Sequence, residues 1–241
     1  PQLPGAGKDL RLIKNILVNS QASIYKQSKF HQFENPTVDQ VRQAILDYVN
    51  SISAHGDILL FYFSGHGCII GDNHFGFCLT DTRLNAESGF VVPLSVLGFR
   101  EVVQTLSAFD VHPVFIIDAC FSGATARAIP TIGALMDHEL YMQVAGSYGL
   151  LCSSNADTAS IDTNTGGVFT KALCSIVSEG LSDRQQRHWP FITLRGLSSP
   201  LQERLAQEGS SLSKCYIVGP DLPEIPIAKN VSFKPQSVYF S

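Results

Sequence analysis

Two stretches near the start of the chain repeat apolar residues at helical spacing. In residues 9–18 Leu10, Ile13, Ile16 and Leu17 share one face, and in residues 37–49 Val38, Val41, Ile45 and Val49 do so behind Pro36 and Thr37, a helix start signal. The pattern then changes. Residues 57–63 read Asp-Ile-Leu-Leu-Phe-Tyr-Phe, a short continuous apolar run ended by Ser64-Gly-His-Gly67. Such a run predicts a strand buried on both faces, which belongs in a parallel sheet. Residues 114–117, Val-Phe-Ile-Ile, repeat the pattern and are ended by Asp118-Ala-Cys-Phe-Ser-Gly123. Between the two runs, residues 75–80 predict a short strand or hairpin and residues 95–106 a crossover helix, which together make a βαβ unit. Further on, the pattern predicts a third central strand over residues 148–153, a helix over 167–181, a helix over 192–207 interrupted near Pro200, and a last strand over 214–218. Residues 219–241 carry Pro220, Pro223, Pro226 and Pro235 with little periodicity. They predict extended chain packed on the surface or leading to another module. The sum is one α/β layered domain.

Composition narrows the class. With 241 residues the chain can bury a core without disulfide or metal staples. Charged residues are only 16% and hydrophobic ones 44%, which disfavours disorder and coiled coil. A net charge of −4, evenly spread, does not suit a phosphate-neutralising surface, so nucleic acid is not expected as a ligand. No apolar run approaches the roughly 18–20 residues that span a bilayer, and no charged and apolar leader opens the chain, so no membrane partner is expected. The six cysteines form no C-x-x-C pair, and a reducing cytoplasm is the expected setting.

The candidate chemistry lies where the two buried runs end. Ligands of parallel sheets bind beyond the carboxyl ends of the strands. A period of two puts Ser64 with His66 on one side of the first chain, and Asp118 with Cys120 on one side of the second, provided both stay extended. A cysteine with a histidine well upstream is a candidate nucleophile and base. Gly5-Ala-Gly-Lys8 lacks the first glycine and the Ser or Thr of a phosphate-binding loop. His66, Cys68, His74 and Cys78 match no standard zinc spacing, so neither a metal nor another cofactor is expected. The other cysteines are expected to be small core residues, and Trp189 is expected to pack in the core in preference to lining a substrate subsite.

At these residues the sequence resembles the caspase-like cysteine peptidases, the clan of caspases, metacaspases and bacterial relatives. The resemblance rests on Phe61-Tyr-Phe-Ser-Gly-His-Gly67, Ile117-Asp-Ala-Cys-Phe-Ser-Gly123, Gly167-Val-Phe-Thr-Lys-Ala-Leu173 and Leu3-Pro-Gly-Ala-Gly-Lys-Asp9. It implies a three-layer sandwich with a mostly parallel central sheet and helices on both faces. The catalytic domain would cover residues 1–218, with large-subunit-like and small-subunit-like parts at about 1–128 and 148–218, followed by the Pro-rich segment 219–241. Pro1 would fall in the loop after the fold's first strand, which is therefore expected upstream.

The resemblance also implies a mechanism: Cys120 as nucleophile, His66 as base and acid, and the backbone N–H groups of Gly67 and Cys120 as the oxyanion hole. In metacaspases the residues matching Asp118, Asp9 and Ser64 form the S1 pocket. Two carboxylates and a hydroxyl suit a guanidinium or ammonium, which implies cleavage after Arg, then Lys. Calcium activation is not expected, because residues 124–128, Ala-Thr-Ala-Arg-Ala, lack the acidic ligand of calcium-activated relatives. Phe121 replaces their usual His, as in bacterial members. Arg127 lies where relatives are often cut during maturation and is a candidate for self-cleavage, with an ordinary surface arginine as the equal alternative. The expected partners are protein or peptide substrates, with an activating partner domain or small signalling ligand in a cell-death or defence setting. A second reading is a catalytically latent regulatory or scaffold module of the same fold. Intact Cys120, His66 and loop glycines favour the enzyme over it. A serine hydrolase using Ser64 or Ser122 lacks the G-x-S-x-G elbow.

Overall fold

The computed structural model describes residues 3, 5–51, 57–71, 74–109, 111–121, 148–153, 166–181, 188–209, 213–218 and 224–235. Helices α1 (Ala6–Lys14) and α2 (Val38–Ser51) precede the first strand, β1 (Asp57–Ile70). Then come β2 (His74–Cys78), β3 (Leu97–Gly98), α3 (Phe99–Ser107), β4 (Val111–Phe121) and β5 (Tyr148–Ser153). The chain goes on with α4 (Val168–Glu179), β6 (Phe191–Thr193), α5 (Leu194–Gln207), β7 (Ser213–Val218) and β8 (Pro226–Lys229). The main sheet has the order β3-β2-β1-β4-β5-β7. β1, β4 and β5 are parallel, and the flanking β2 and β7 are antiparallel to their neighbours.

Alternation along the strands creates two cores. Val114, Ile116 and Leu151 join the cluster built on α1, α4 and α5, whereas Phe115, Ile117 and Leu150 join the one built on α2 and α3. Helices therefore cover both faces of a central, mostly parallel sheet, as expected for a caspase-like three-layer sandwich. In the second core Phe61, Phe63, Phe75, Phe77, Phe99, Phe115 and Tyr148 meet in tilted and edge-to-face pairs with centroids 4.8–6.4 Å apart. This geometry favours aromatic rings beyond simple area burial.

Several elements differ from the hydrophobic pattern. Both central strands run past their apolar stretches: β1 continues through Ser64-Gly-His-Gly67 to Ile70, and β4 reaches Phe121. Ladder hydrogen bonds to a neighbour hold these ends, and such bonds do not depend on apolar side chains. β2 folds back after Gly71, whose φ is 52°, and pairs with residues 66–70 only. Among the described residues, residues 57–65 thus have a strand partner on one side, β4, and they are partly buried instead of buried on both faces. α1 starts earlier than expected and passes into a π-helical turn, Asn15–Asn19. α3 begins only at Phe99, after a 3-10 turn, Pro93–Ser95, and β3.

Residues 191–193 are strand instead of helix, and Thr193 caps α5 by accepting the Gly196 N–H. α5 then runs unbroken across Pro200, with Leu197, Leu201 and Leu205 buried on either side of it. Within the Pro-rich tail, residues 225–228 and 230 pack inward and are not a surface strap. β8 pairs with β6, and Ile225, Ile227 and Ala228 join the first core. Asn230, 4% exposed, locks the tail: its amide donates to the Leu181 and Trp189 carbonyls and accepts the Leu181 N–H.

Candidate active site

The parallel register sets Ser64 beside Asp118 and His66 beside Cys120 on the adjacent strands β1 and β4. Ile58, Leu60 and Tyr62 pack against the α1 and α4 core, and Leu59, Phe61 and Phe63 against the other. Even positions of β1 therefore face α1 and α4, and Ser64 continues that row. Its hydroxyl donates to Asp9 Oδ2 of α1 at 2.9 Å. On β4, Asp118 continues the row of Val114 and Ile116, and its Oδ2 accepts the Thr170 hydroxyl of α4 at 2.7 Å.

Two acids thus converge from elements far apart in sequence. Asp9, only 3% exposed, sits in the first turn of α1 and accepts the Gly167 N–H on Oδ1 at 2.8 Å. Gly167 is the residue that caps the N-terminus of α4, so its N–H and the helix dipole both favour the negative charge. A glycine is required there. A Cβ at 167 would lie 2.5 Å from Asp118 Oδ2 and 3.3 Å from Asp9 Oδ2, so both carboxylates crowd the space that any side chain would fill.

Burial dominates the electrostatics of this corner. It pushes the Asp118 carboxyl up from 3.8 to about 6, against the Thr170 hydroxyl and N–H and the Ser153 hydroxyl, which favour the anion; the charge of Asp9 adds to the rise. The Tyr62 phenol is raised well above its usual range by burial and by the nearby Asp118 and Asp9. On the other side of β1, β2 brings Cys78 opposite His66. A hydrogen bond with Cys68 and the charge of His66 lower the Cys78 thiol, while Cys68 is raised as the partner in that bond.

The caspase-domain family model matches residues 1–192. The chain belongs to the caspase-domain family. None of the curated proteins compared with the sequence matches it. Among solved structures, the crystal structure of protein GSU0716 from Geobacter sulfurreducens is similar at 18% identity, covering 83% of this chain and 80% of that one, with a TM-score of 0.52. That likeness concerns the fold alone. The family is one of cysteine peptidases, which act on proteins and peptides. Among the described residues no helix is long and apolar enough to cross a membrane.

Within this caspase domain, Asp9, Ser64 and Asp118 come together, and His66 lies one strand period beyond Ser64. Cys120 is described by its backbone alone, and Arg127 falls outside the described residues. Gly67 lies within β1, where a Cβ would be 2.5 Å from the Phe75 ring, so the glycine makes room for that ring. Trp189 is 42% exposed, not in the core: it lies at the surface end of the Asn230 lock, which holds its carbonyl and leaves the indole outside. Cys68, Cys152 and Cys174 are buried, as small core residues would be. Sequence reading missed Thr170, Tyr62, Ser153 and Cys78 as neighbours of the site. Thr170 and Tyr62 stand inside the quoted motifs, so the signal was present without its geometry.

Proposed function

We propose that the chain is an endopeptidase that hydrolyses peptide bonds after Arg and, less well, after Lys. The observation that carries this reading is the convergence of the Asp9 and Asp118 carboxylates on Gly167, with Ser64 bonded to Asp9, one strand period from His66. A basic P1 side chain would be drawn by both acids, and the planar guanidinium would satisfy them better than an ammonium. An acidic P1 side chain would be repelled.

In this reading Cys120 attacks the scissile carbonyl carbon as a thiolate, and the carbonyl electron pair moves onto oxygen. The N–H groups of Gly67 and Cys120 receive that oxyanion. His66 gives a proton to the amine as the C–N bond breaks, then takes one from the water that releases the acyl group from sulfur. No metal or cofactor is needed for these steps. Control by a partner domain or a small signalling ligand, in a cytoplasmic cell-death or defence setting, is the part of the proposal that rests on the family resemblance.

Fluorogenic peptides with Arg, Lys and Asp at P1 test the reading. Arg and Lys peptides are expected to be cleaved and Cys120→Ala to abolish cleavage. Turnover of the Asp peptide alone overturns the pocket, and activity in Cys120→Ala overturns the mechanism. A thiol-reactive, substrate-like probe that fails to label Cys120 would favour the latent scaffold.

A further inference from the structure

Thr170 lies outside the proposed dyad. It lies in the first turn of α4, is fully buried, and spends its hydroxyl on two site residues. Thr170 Oγ1 is 2.7 Å from Asp118 Oδ2 and 2.7 Å from the Tyr62 hydroxyl. A hydroxyl has one proton, and an ionised carboxylate only accepts. With Asp118 charged, the proton of Thr170 must point at Asp118, and Tyr62 must donate to Thr170. The chain of donation therefore runs Tyr62 to Thr170 to Asp118. A valine would have the same shape and none of this polarity.

We propose that Thr170, backed by Tyr62, is a positioning residue that fixes the orientation and charge of the Asp118 carboxylate and thereby sets how tightly the pocket takes a basic side chain. The inference rests on the basic-P1 reading for its consequence in catalysis. Asp118 is surrounded by groups that pull its charge both ways. Asp9 of α1 repels it, the Ser153 hydroxyl of β5 supports it, and the Tyr62 phenol of β1 and Thr170 of α4 complete the shell. Removal of the Thr170 donor leaves desolvation and Asp9 less opposed, so Asp118 holds its proton to higher pH. The protonated acid offers a guanidinium one charge fewer. The dyad is on the next strand period and is not touched, so the cost should fall on KM and spare kcat.

The test uses Thr170→Val, Thr170→Ser and Tyr62→Phe. Steady-state kinetics with an Arg peptide are measured across pH, and the Asp118 carboxyl carbon is titrated by NMR in Cys120→Ala protein. For Thr170→Val the expected result is a KM raised roughly tenfold, kcat within about threefold, and an Asp118 titration moved up by about one pH unit. Thr170→Ser should restore both within about twofold, and Tyr62→Phe should move both in the same direction by a smaller step. A Thr170→Val protein with unchanged KM and titration overturns the proposal, as does a loss confined to kcat or a Thr170→Ser protein as impaired as Thr170→Val. If Thr170→Val does not fold, Tyr62→Phe decides by the same two readouts. Should the enzyme prove not to cleave after basic residues, the basic-P1 reading fails by itself, and the NMR titration alone upholds or overturns the role of Thr170.

Discussion

Replacing Asp118 by Asn should make the protein more stable at neutral pH, even though it removes a residue of the proposed substrate pocket. A carboxyl that titrates at 3.8 in the unfolded chain and at about 6 in the folded one holds its proton more tightly when folded. Its contribution to stability is therefore fully present below pH 3.8 and is lost as pH rises through about 6. At 1.36 kcal/mol per pH unit, the interval corresponds to about 3 kcal/mol of destabilisation at pH 7.5. Asn keeps the shape and an oxygen that can accept the Thr170 hydroxyl, and it does not titrate. It also relieves the like charge of Asp9 nearby. Urea unfolding in the Cys120→Ala background, from pH 4 to 8, measures the effect without self-digestion. The Asp118→Asn protein should gain on its parent steadily between pH 4 and 6.5, reaching an advantage of about 3 kcal/mol, or roughly 6–12 °C in Tm for a domain of this size. An Asn variant less stable than its parent at pH 8, or a difference that does not change between pH 4 and 7, would refute the assignment of Asp118 as a desolvated, strained acid.

The same pocket predicts a pH-dependent selectivity: kcat/KM for Arg over its uncharged isostere citrulline at P1 should grow as pH rises through about 6, because the ratio cancels the dyad and leaves Asp118. A ratio flat from pH 5 to 8 would count against the pocket. Gly167→Ala should cost about 1–3 kcal/mol of stability and most of the Arg-directed activity, since its methyl would sit between the two carboxylates; near-normal kinetics would show that they do not share that space. Asn230→Ala should destabilise by about 2–4 kcal/mol in chemical denaturation, as it strands the Leu181 N–H and the Leu181 and Trp189 carbonyls. In timed alkylation followed by mass spectrometry, Cys78, lowered by Cys68 and His66, should react well before Cys174, which burial pushes up to about 12. Equal rates would show that Cys68 and His66 do not lower the Cys78 thiol.

What the sequence disclosed and what it hid follow from the range of the forces involved. Helical spacing in Val38, Val41, Ile45 and Val49 and the apolar run of residues 114–117 reported burial directly, because burial is a property of single side chains in a periodic pattern. Strand ends were misread for the complementary reason. Ser64 to Ile70 and Asp118 to Phe121 are held by backbone bonds to a neighbouring strand, and nothing in their side chains announces the neighbour. Likewise residues 225–228 of the tail read as surface chain because proline removes periodicity, whereas Ile225, Ile227 and Ala228 join the core built on α1, α4 and α5.

The site shows the same division more sharply. Its motif residues were legible one by one, since Ser64, His66, Asp118 and Cys120 alternate at the ends of two buried runs. Their parallel register was not, yet it is what aligns Ser64 with Asp118 and His66 with Cys120. Asp9 lies 55 residues from Ser64 and 158 from Gly167, the two groups that hold its carboxylate. Only the α1 and α4 layer makes those contacts local. This arrangement also explains why the two acids are tolerable. An isolated pair of desolvated carboxylates would neutralise by protonation, but here each acid takes hydrogen bonds from other elements, Gly167 and Ser64 for Asp9, and Thr170 and Ser153 for Asp118. For Asp118 burial outweighs these donors, so the acid remains raised. If the proposed basic-P1 reading holds, a cationic side chain beside Asp118 would meet a carboxylate whose charge is incompletely compensated, so substrate binding and relief of the acid's desolvation would be one event, and the stability lost through Asp118 would become affinity for a basic residue.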